Sequence, residues 1–143
     1  MKKYLALTLV LVLITAAAAA MADTVKIGVF EPASGDNGAG GKQEVIGMEY
    51  ANTIVPTVEV GGKTYDVELV IVDNQSATDK AISAAQELVD AGVSIVLGSY
   101  GSGVSMAGGE VFADAEVPAI GASCTNPGVT SLCECLVKSR SPV

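Results

Sequence analysis

The chain has 143 residues, half of them hydrophobic, a net charge of −8 and no histidine. The lack of histidine excludes Ser-His and Cys-His nucleophile pairs and imidazole zinc sites. The acidic balance argues against nucleic acid as a partner, because phosphate contact needs a basic face. The carboxylates are scattered along the chain, so the charge indicates solubility and identifies no partner.

Residues 1–22 have the pattern of a secretory signal peptide. Lys2 and Lys3 precede an apolar run from Leu5 to Ala20, which is shorter than the roughly 20 residues that cross a bilayer. Ala20-Met21-Ala22 then has the small residues typical of a cleavage site. We therefore expect cleavage near Ala22 and a periplasmic or secreted mature protein. No cysteine follows Ala22 directly, so no lipid anchor is expected there.

From residue 24 to residue 121, short β-rich runs alternate with helical patterns. The predicted strands are 25–30, 67–72, 93–97 and 117–120, and the predicted helices are 42–55, about 77–91 and about 104–114. This order predicts an α/β fold with a doubly wound, parallel sheet and right-handed crossovers. The sheet is expected to be partial.

Three local patterns add detail to this prediction. Residues 31–41 form a glycine-rich loop, after which helix 42–55 is expected to lie against the sheet. Gly61-Gly62 indicates the turn of a small surface hairpin. The segment Ser76-Ala77-Thr78-Asp79 resembles a capping box, in which the Ser76 hydroxyl would cap the following helix.

The domain is expected to cover residues 23–130, because the pattern fails in the tail, 131–143. This tail shows no clear period, which suggests a truncated or frame-shifted end. The three cysteines are Cys124, Cys133 and Cys135, an odd number for an exported chain. A disulfide from Cys124 to either of the other two is possible, and the sequence does not choose between them.

The glycine-rich segments do not have the spacing of nucleotide-binding motifs. Gly101-Ser102-Gly103 begins like a dinucleotide fingerprint, but Met106 stands where the third glycine belongs. Gly41-Lys42 resembles the end of a phosphate loop, but Asp36 replaces its first glycine. We therefore expect no cofactor, no metal and no catalytic activity.

Two hydroxyl-rich loops, 98–103 and 121–127, each follow a predicted strand. Because the carboxyl ends of parallel strands share one sheet edge, loops 31–41, 98–103 and 121–126 are expected to converge on one crevice. Ser102 and Thr125 would each offer a hydroxyl and a backbone N–H, four donors suited to a carboxylate. In the alternative interpretation, Ser102 only caps a helix and Thr125 only opens an Asn-Pro turn.

Several segments together resemble the branched-chain amino-acid type of periplasmic solute-binding protein, which has the type I fold. The segments are the signal peptide, Val25-Lys26-Ile27-Gly28-Val29-Phe30 with Ala33-Ser34-Gly35, the run at 67–76, Val96-Leu97-Gly98, and Ala122-Ser123-Cys124-Thr125-Asn126-Pro127. The resemblance implies a substrate-binding protein of an ABC importer. Its partners would be a small amino-acid ligand and a membrane permease.

The resemblance also implies roles for individual residues. The ligand carboxylate would be held by Ser102 and Thr125, with Tyr100 and Gly101 shaping the approach. Ser123 would offer its carbonyl oxygen to the ligand ammonium group, and Cys124 lies in the same loop. Where many relatives place an aromatic residue in the first loop, this chain has Gly40.

Two other functions are left open by the sequence. One is a small exported α/β enzyme, although the chain has neither histidine nor a G-x-S-x-G nucleophile elbow. The other is the ligand-sensing domain of a receptor with the same fold. Relative to the solute-binding family, the second lobe and its acidic partner for the ligand ammonium are missing from this sequence.

Overall fold

The computed structural model describes residues 23–131 and 136–138. The elements in chain order are β1 (Thr24–Glu31), α1 (Gly38–Ile54), β2 (Thr57–Val60), β3 (Lys63–Asp73), α2 (Thr78–Asp90), β4 (Ile95–Leu97), α3 (Ser102–Asp114), β5 (Ala119–Gly121), α4 (Gly128–Ser131) and β6 (Leu136–Lys138). The predicted α/β class is confirmed. The expected signal peptide, Cys133 and Cys135 lie outside the described residues. Within the described ranges, no helix has the length and apolar character needed to cross a membrane.

The strands form one sheet in the order β2-β3-β1-β4-β5-β6. Strand β2 pairs antiparallel with β3 as the expected hairpin, and the other neighbouring pairs are parallel. Counted along the chain, the parallel strands therefore lie in the order second, first, third, fourth, fifth. This is a doubly wound order whose topological switch point lies between β1 and β4.

Helices lie on both faces of the sheet. Successive residues of a strand point to these two faces in turn. Phe30 and Val96 point to the side where α2 and α3 pack, and they belong to the buried core. Ile27 and Leu97 point to the opposite side, where they line a cavity beneath α1. Since the chain leaves β1 and β4 toward opposite faces, the loops after these strands separate and leave a crevice at the sheet edge.

Helix α1 begins at Gly38, four residues before the predicted start. The glycines that suggested a loop allow a close approach instead, since a Cβ on Gly38 would contact Ala33 and one on Gly41 would overlap Pro32. These two glycines are the buried residues of the helix. The expectation that α1 lies against the sheet is confirmed, since Asn52 Nδ2 donates to the Val67 carbonyl oxygen of β3 at 3.4 Å, although a cavity lies under part of the helix.

The predicted capping box is wrong. Helix α2 has Ala77 at its N-cap and no side-chain cap hydrogen bond. The Ser76 hydroxyl instead donates to the Ser34 carbonyl oxygen, 3.0 Å away, and accepts the Asn37 N–H. Ser76 therefore connects the loops after β1 and β3.

The tail adds to the sheet although its sequence shows no period. Strand β6 pairs in parallel with β5, with Ala119 opposite Leu136. The strand that the sequence pattern failed to indicate thus forms the sheet edge opposite β2.

Candidate functional site

Four loops meet at the carboxyl edge of the parallel strands β1, β3, β4 and β5. The Tyr100 N–H donates to Glu31 Oε2 at 2.8 Å, which joins the loops after β4 and β1. The Thr125 N–H donates to Ser102 Oγ at 3.2 Å, which joins the loop after β5 to the start of α3. The predicted convergence of loops 31–41, 98–103 and 121–126 is confirmed by these contacts.

Ser102 is the first residue of α3, and Gly101 occupies the N-cap. The alternative that Ser102 caps this helix is wrong, because no side chain makes a cap hydrogen bond there. The Ser102 Oγ instead accepts the backbone N–H groups of Thr125 and Asn126, both at 3.2 Å. It thus holds the turn after β5 against the helix N-terminus.

The expected set of four donors is present only in part. The Thr125 N–H points to Ser102 Oγ rather than into open space. The first N–H groups of a helix have no intrahelical partner, and here no side chain caps them. Together with the Ser102 O–H, these amides form a compact group of donors at the positive end of α3.

Asn126 accounts for the turn that the alternative interpretation assigned to Thr125. Its Oδ1 accepts the Gly128 N–H at 2.8 Å, which is an Asx turn. The turn therefore presents Thr125 beside Ser102, and Asn126 and Pro127 stabilise it.

Tyr100 lies against the first turns of α1. A Cβ on Gly40 would stand 2.5 Å from Tyr100 Cε2 and 2.7 Å from its Cζ, so the ring rests directly on this glycine. The side chain is nevertheless 42% exposed. Tyr100 therefore places an aromatic surface beside Gly40, the position at which many relatives are expected to carry an aromatic residue.

The other predicted residues occupy different environments. Gly101 is half-buried next to Asn37, and Ser123 is exposed. Cys124 is only 2% exposed and belongs to the hydrophobic core. The Cys124 thiol is thus packed away from the crevice, and its predicted pairing with Cys133 or Cys135 involves residues outside the described ranges.

Asp73, at the end of β3, organises the loop after β1 and was not singled out from the sequence. Its Oδ1 accepts the N–H groups of Ala33 at 2.7 Å and Gln75 at 2.8 Å, and its Oδ2 accepts the Ser34 hydroxyl at 2.7 Å. Burial alone would raise the pKa of Asp73, but the hydrogen bonds from Ser34, Gln75 and Ala33 outweigh it and lower this pKa. The carboxylate stays charged and fixes the loop.

Asn74 ties three chain segments together beneath the crevice. It is fully buried, and its Nδ2 donates to the Phe30 carbonyl oxygen at 3.2 Å and to Ser99 Oγ at 2.9 Å. Its Oδ1 accepts the Ser76 N–H. A buried amide with these partners holds the loops in one arrangement.

Glu31 is the second acidic residue of the edge, and its carboxyl is 1% exposed. Burial raises the pKa of Glu31 to about 9, helped by a hydrogen bond with the Glu44 carboxyl and by its charge. The Tyr100 N–H lowers this pKa by a smaller amount. Glu31 is therefore neutral at pH 7.

Glu31, Asp73 and Asn74 share one sequence signal, since each stands at or just after the end of an apolar strand. Polar residues at the carboxyl ends of strands in an open α/β sheet lie at the binding crevice. The sequence run 67–76 contains this signal for Asp73 and Asn74. The sequence prediction instead placed the ligand site in the hydroxyl-rich loops 98–103 and 121–127.

Comparison with known proteins identifies the family of the chain. A family model described as periplasmic binding protein matches residues 24–135. The Leu/Ile/Val-binding protein homolog 2 of Brucella abortus is 32% identical over 107 residues, which cover 74% of this chain and 28% of that protein. The chain thus spans little more than a quarter of the curated relative.

Two solved structures show the fold in complex with different ligands. The branched-chain amino acid transporter substrate binding protein LivJ from Streptococcus pneumoniae, in complex with isoleucine, has a TM-score of 0.71 and 32% identity; the match covers 81% of this chain and 33% of LivJ. A solute binding protein of an ABC transporter from Rhodopseudomonas palustris, in complex with 3,4-dihydroxybenzoic acid, has a TM-score of 0.73 and 25% identity; the match covers 81% and 31%. The two bound molecules share a carboxyl group.

Proposed function

Because the chain belongs to the periplasmic binding protein family, we propose that it carries part of the ligand site of an extracytoplasmic substrate-binding protein of an ABC importer. The proposed ligand is a branched-chain or related amino acid, as in the LivJ complex with isoleucine. The observation that carries the proposal is the meeting of Ser102 and Thr125 at the N-terminus of α3. The fold and family are those of solute-binding proteins, which bind their ligands without converting them.

The donors at this point suit a carboxylate. The Ser102 O–H and the uncapped amides of the first turn lie together at the N-terminus of α3, where the helix dipole also favours negative charge. Thr125 stands directly beside them on the next loop. We expect the ligand carboxylate to replace Ser102 Oγ as the acceptor of the Thr125 N–H, which frees the Ser102 hydroxyl to donate.

The rest of the ligand would extend along the crevice. The Ser123 carbonyl oxygen is the proposed acceptor for the ammonium group, and the exposed Tyr100 ring is the proposed apolar contact for the side chain. Gly101 leaves room for the ligand between these groups. Cys124 has no part in this proposal, because its thiol is buried in the core.

The partner of the loaded protein would be a membrane permease. The chain spans 28% of its curated relative, so further contacts to the ligand and to the permease would come from segments outside the matched region. In the solute-binding family, two lobes close over the ligand, and the closed form is what the permease recognises. The described residues would provide the carboxylate contacts of one lobe.

Isothermal titration with isoleucine, leucine, valine and 3,4-dihydroxybenzoic acid tests this proposal. Ser102→Ala and Thr125→Val each remove a side-chain hydroxyl that is proposed to donate to the carboxylate. We expect each to weaken isoleucine binding about 10- to 150-fold, since a hydrogen bond to a charged group contributes about 1.5–3 kcal/mol. Ser83→Ala is the matched control, because Ser83 is exposed and its hydroxyl donates to the Lys80 carbonyl oxygen within helix α2. Isoleucine amide, which has no carboxylate, should bind far more weakly than isoleucine.

Unchanged affinity in both variants would refute the assignment of the site. Binding of the dihydroxybenzoic acid instead of the amino acids would retain the carboxylate contacts but overturn the amino-acid ligand. A folded wild-type protein that binds none of these molecules would overturn the proposed function.

A further inference from the structure

Glu31 occupies a position between three elements at the edge of the crevice. It is the last residue of β1 and is 1% exposed. Helix α1 contacts it through the Glu44 carboxyl, and the loop after β4 contacts it through the Tyr100 N–H. An acidic side chain so deeply buried needs a partner for each oxygen, because an unpaired buried charge is costly.

The two oxygens of Glu31 have different partners. Oε2 accepts the Tyr100 N–H at 2.8 Å. Among the described residues, Oε1 has no donor within hydrogen-bond distance, and the same holds for Glu44 Oε2 on α1. Carboxylate oxygens only accept, so a side-chain hydrogen bond between Glu31 and Glu44 requires a proton on one of the two carboxyls.

The neighbouring charged groups leave this proton in place. Glu44 on α1 is acidic and favours it, and Asp73, the register partner of Glu31 on β3, directs its carboxylate to the backbone of residues 33–34 and 75. Strand β4 has no charged residue, and the loop after it contributes the Tyr100 N–H and the exposed phenol of the same residue. Lys42, the cationic residue of α1, is exposed and is not among the groups that shift the pKa of Glu31.

We propose that Glu31 is a positioning residue for the ligand site: its buried carboxyl holds the Tyr100 N–H and thereby sets the position of Ser102. The chain from Tyr100 to Ser102 is only two residues long. Gly98 on the same loop packs against Glu31 Oε1, where a Cβ would come within 2.7 Å. The loop is thus held against the Glu31 carboxyl at Gly98 and at Tyr100, directly before the residue that receives the Thr125 and Asn126 amides.

The neutral state of the Glu31 carboxyl also affects ligand binding, and this part of the inference rests on the proposed function. A charged Glu31 would repel a carboxylate ligand and would also repel Glu44. Ligand affinity should therefore fall as the pH rises toward the value at which Glu31 ionises. Glutamine reproduces the protonated form, since it can accept the Tyr100 N–H and donate to Glu44 at every pH.

Amide hydrogen exchange followed by NMR tests the positioning role without any ligand. In Glu31→Ala we expect the amides of Tyr100, Thr125 and Asn126 to exchange at least about tenfold faster, while the core amides of α2 keep their protection. Glu31→Gln should restore the wild-type rates. Glu87→Gln, on the exposed side of α2, is the matched control and should change nothing.

A second measurement uses isoleucine as the probe. The affinity of the wild-type protein should fall more steeply between pH 7 and pH 10 than that of Glu31→Gln; the ammonium group of isoleucine titrates equally in both. If Glu31→Ala does not fold, Glu44→Gln replaces it. That variant lets a charged Glu31 accept from an amide, so we expect its carboxyl, followed by carbon-13 NMR, to titrate at lower pH than in the wild type.

The outcomes separate the two proposals. Unchanged exchange at Thr125 and Asn126 in folded Glu31→Ala overturns the positioning role, and so does failure of Glu31→Gln to restore it. If exchange in Glu31→Ala is accelerated equally throughout the protein, Glu31 only stabilises the fold, and this result also overturns the positioning role. Absence of isoleucine binding to the wild type overturns the proposed function, while the exchange rates still decide the role of Glu31.

Discussion

The two faces of the sheet differ in how completely their helices cover them. On the side of α2 and α3, the facing residues are buried: Phe30, Val72, Ala81, Ala85, Leu88, Val96 and Phe112. Phe30 and Phe112 meet edge to face with ring centroids 5.4 Å apart. On the side of α1 a cavity of about 550 Å³ separates the helix from the strands. Ile46, Tyr50 and Ile54 of α1 are 63%, 66% and 59% exposed.

Within the face under α1, burial also changes along the strands. Val29, near the carboxyl edge, is fully buried, whereas Ile27, two residues earlier on the same face of β1, is only half-buried. The first turns of α1 touch Pro32, Tyr100 and the Glu31 carboxyl, while the later turns line the cavity. Helix α1 is therefore anchored at the crevice, and its packing serves the site more than the core.

The largest expected effect comes from deleting one buried side chain on the closely packed face. Leu88→Ala should lower the free energy of unfolding by about 2–5 kcal/mol, because it opens a cavity in a filled core. Met48→Ala, beside the existing cavity, should cost about 1 kcal/mol or less. Urea denaturation measures both. Equal costs would contradict the difference between the two faces.

Glycines of α1 allow a sharper comparison within one helix. Gly41→Ala should destabilise the protein by about 1–3 kcal/mol, because the new Cβ would overlap Pro32. Gly47→Ala should instead stabilise it by up to about 1 kcal/mol, since nothing lies within 4 Å of its Cβ and alanine favours helix. Thermal unfolding of the two variants decides this. A gain in both would mean that α1 is not anchored by its first turn.

A further comparison concerns the dependence of stability on pH. Because the pKa of Glu31 is raised from 4.5 to about 9, its proton stabilises the folded state fully below pH 4.5. This stabilisation is lost as the pH rises through that range, at up to about 1.4 kcal/mol per pH unit. Urea unfolding at pH 5, 6, 7 and 8 should show the decline, and Glu31→Gln should flatten it. If the free energy of unfolding of Glu31→Gln falls with pH as steeply as that of the wild type, another group causes the decline.

Much of the fold follows from the sequence pattern, and the failures have physical reasons. Strands β1 and β3 and helix α3 occur near their predicted positions because apolar runs and helical spacing mark them. The sequence prediction missed the start of α1 because it assigned Gly38, Gly40 and Gly41 to a loop. These glycines instead allow close contact with Ala33, Tyr100 and Pro32, respectively. Strand β6 has no period of its own and is held by pairing with β5.

The candidate site was predictable where two hydroxyl-bearing loops follow strands, as for Ser102 and Thr125. Which atom donates to which was not predictable, since Ser102 Oγ accepts two amides instead of capping its helix. The contact between Glu31 and Tyr100 could not be predicted from local sequence patterns either, because it joins residues 69 positions apart. Only the strand order brings them together.

That separation has a consequence for the order of folding. The contact between Ser102 and Thr125 spans 23 positions, and the contact between Glu31 and Tyr100 spans 69. Closing a longer loop costs more chain entropy, and non-local pairing slows folding. The half of the crevice built from β4 and β5 can therefore assemble early. The half that depends on β1 forms later, when β4 docks beside it.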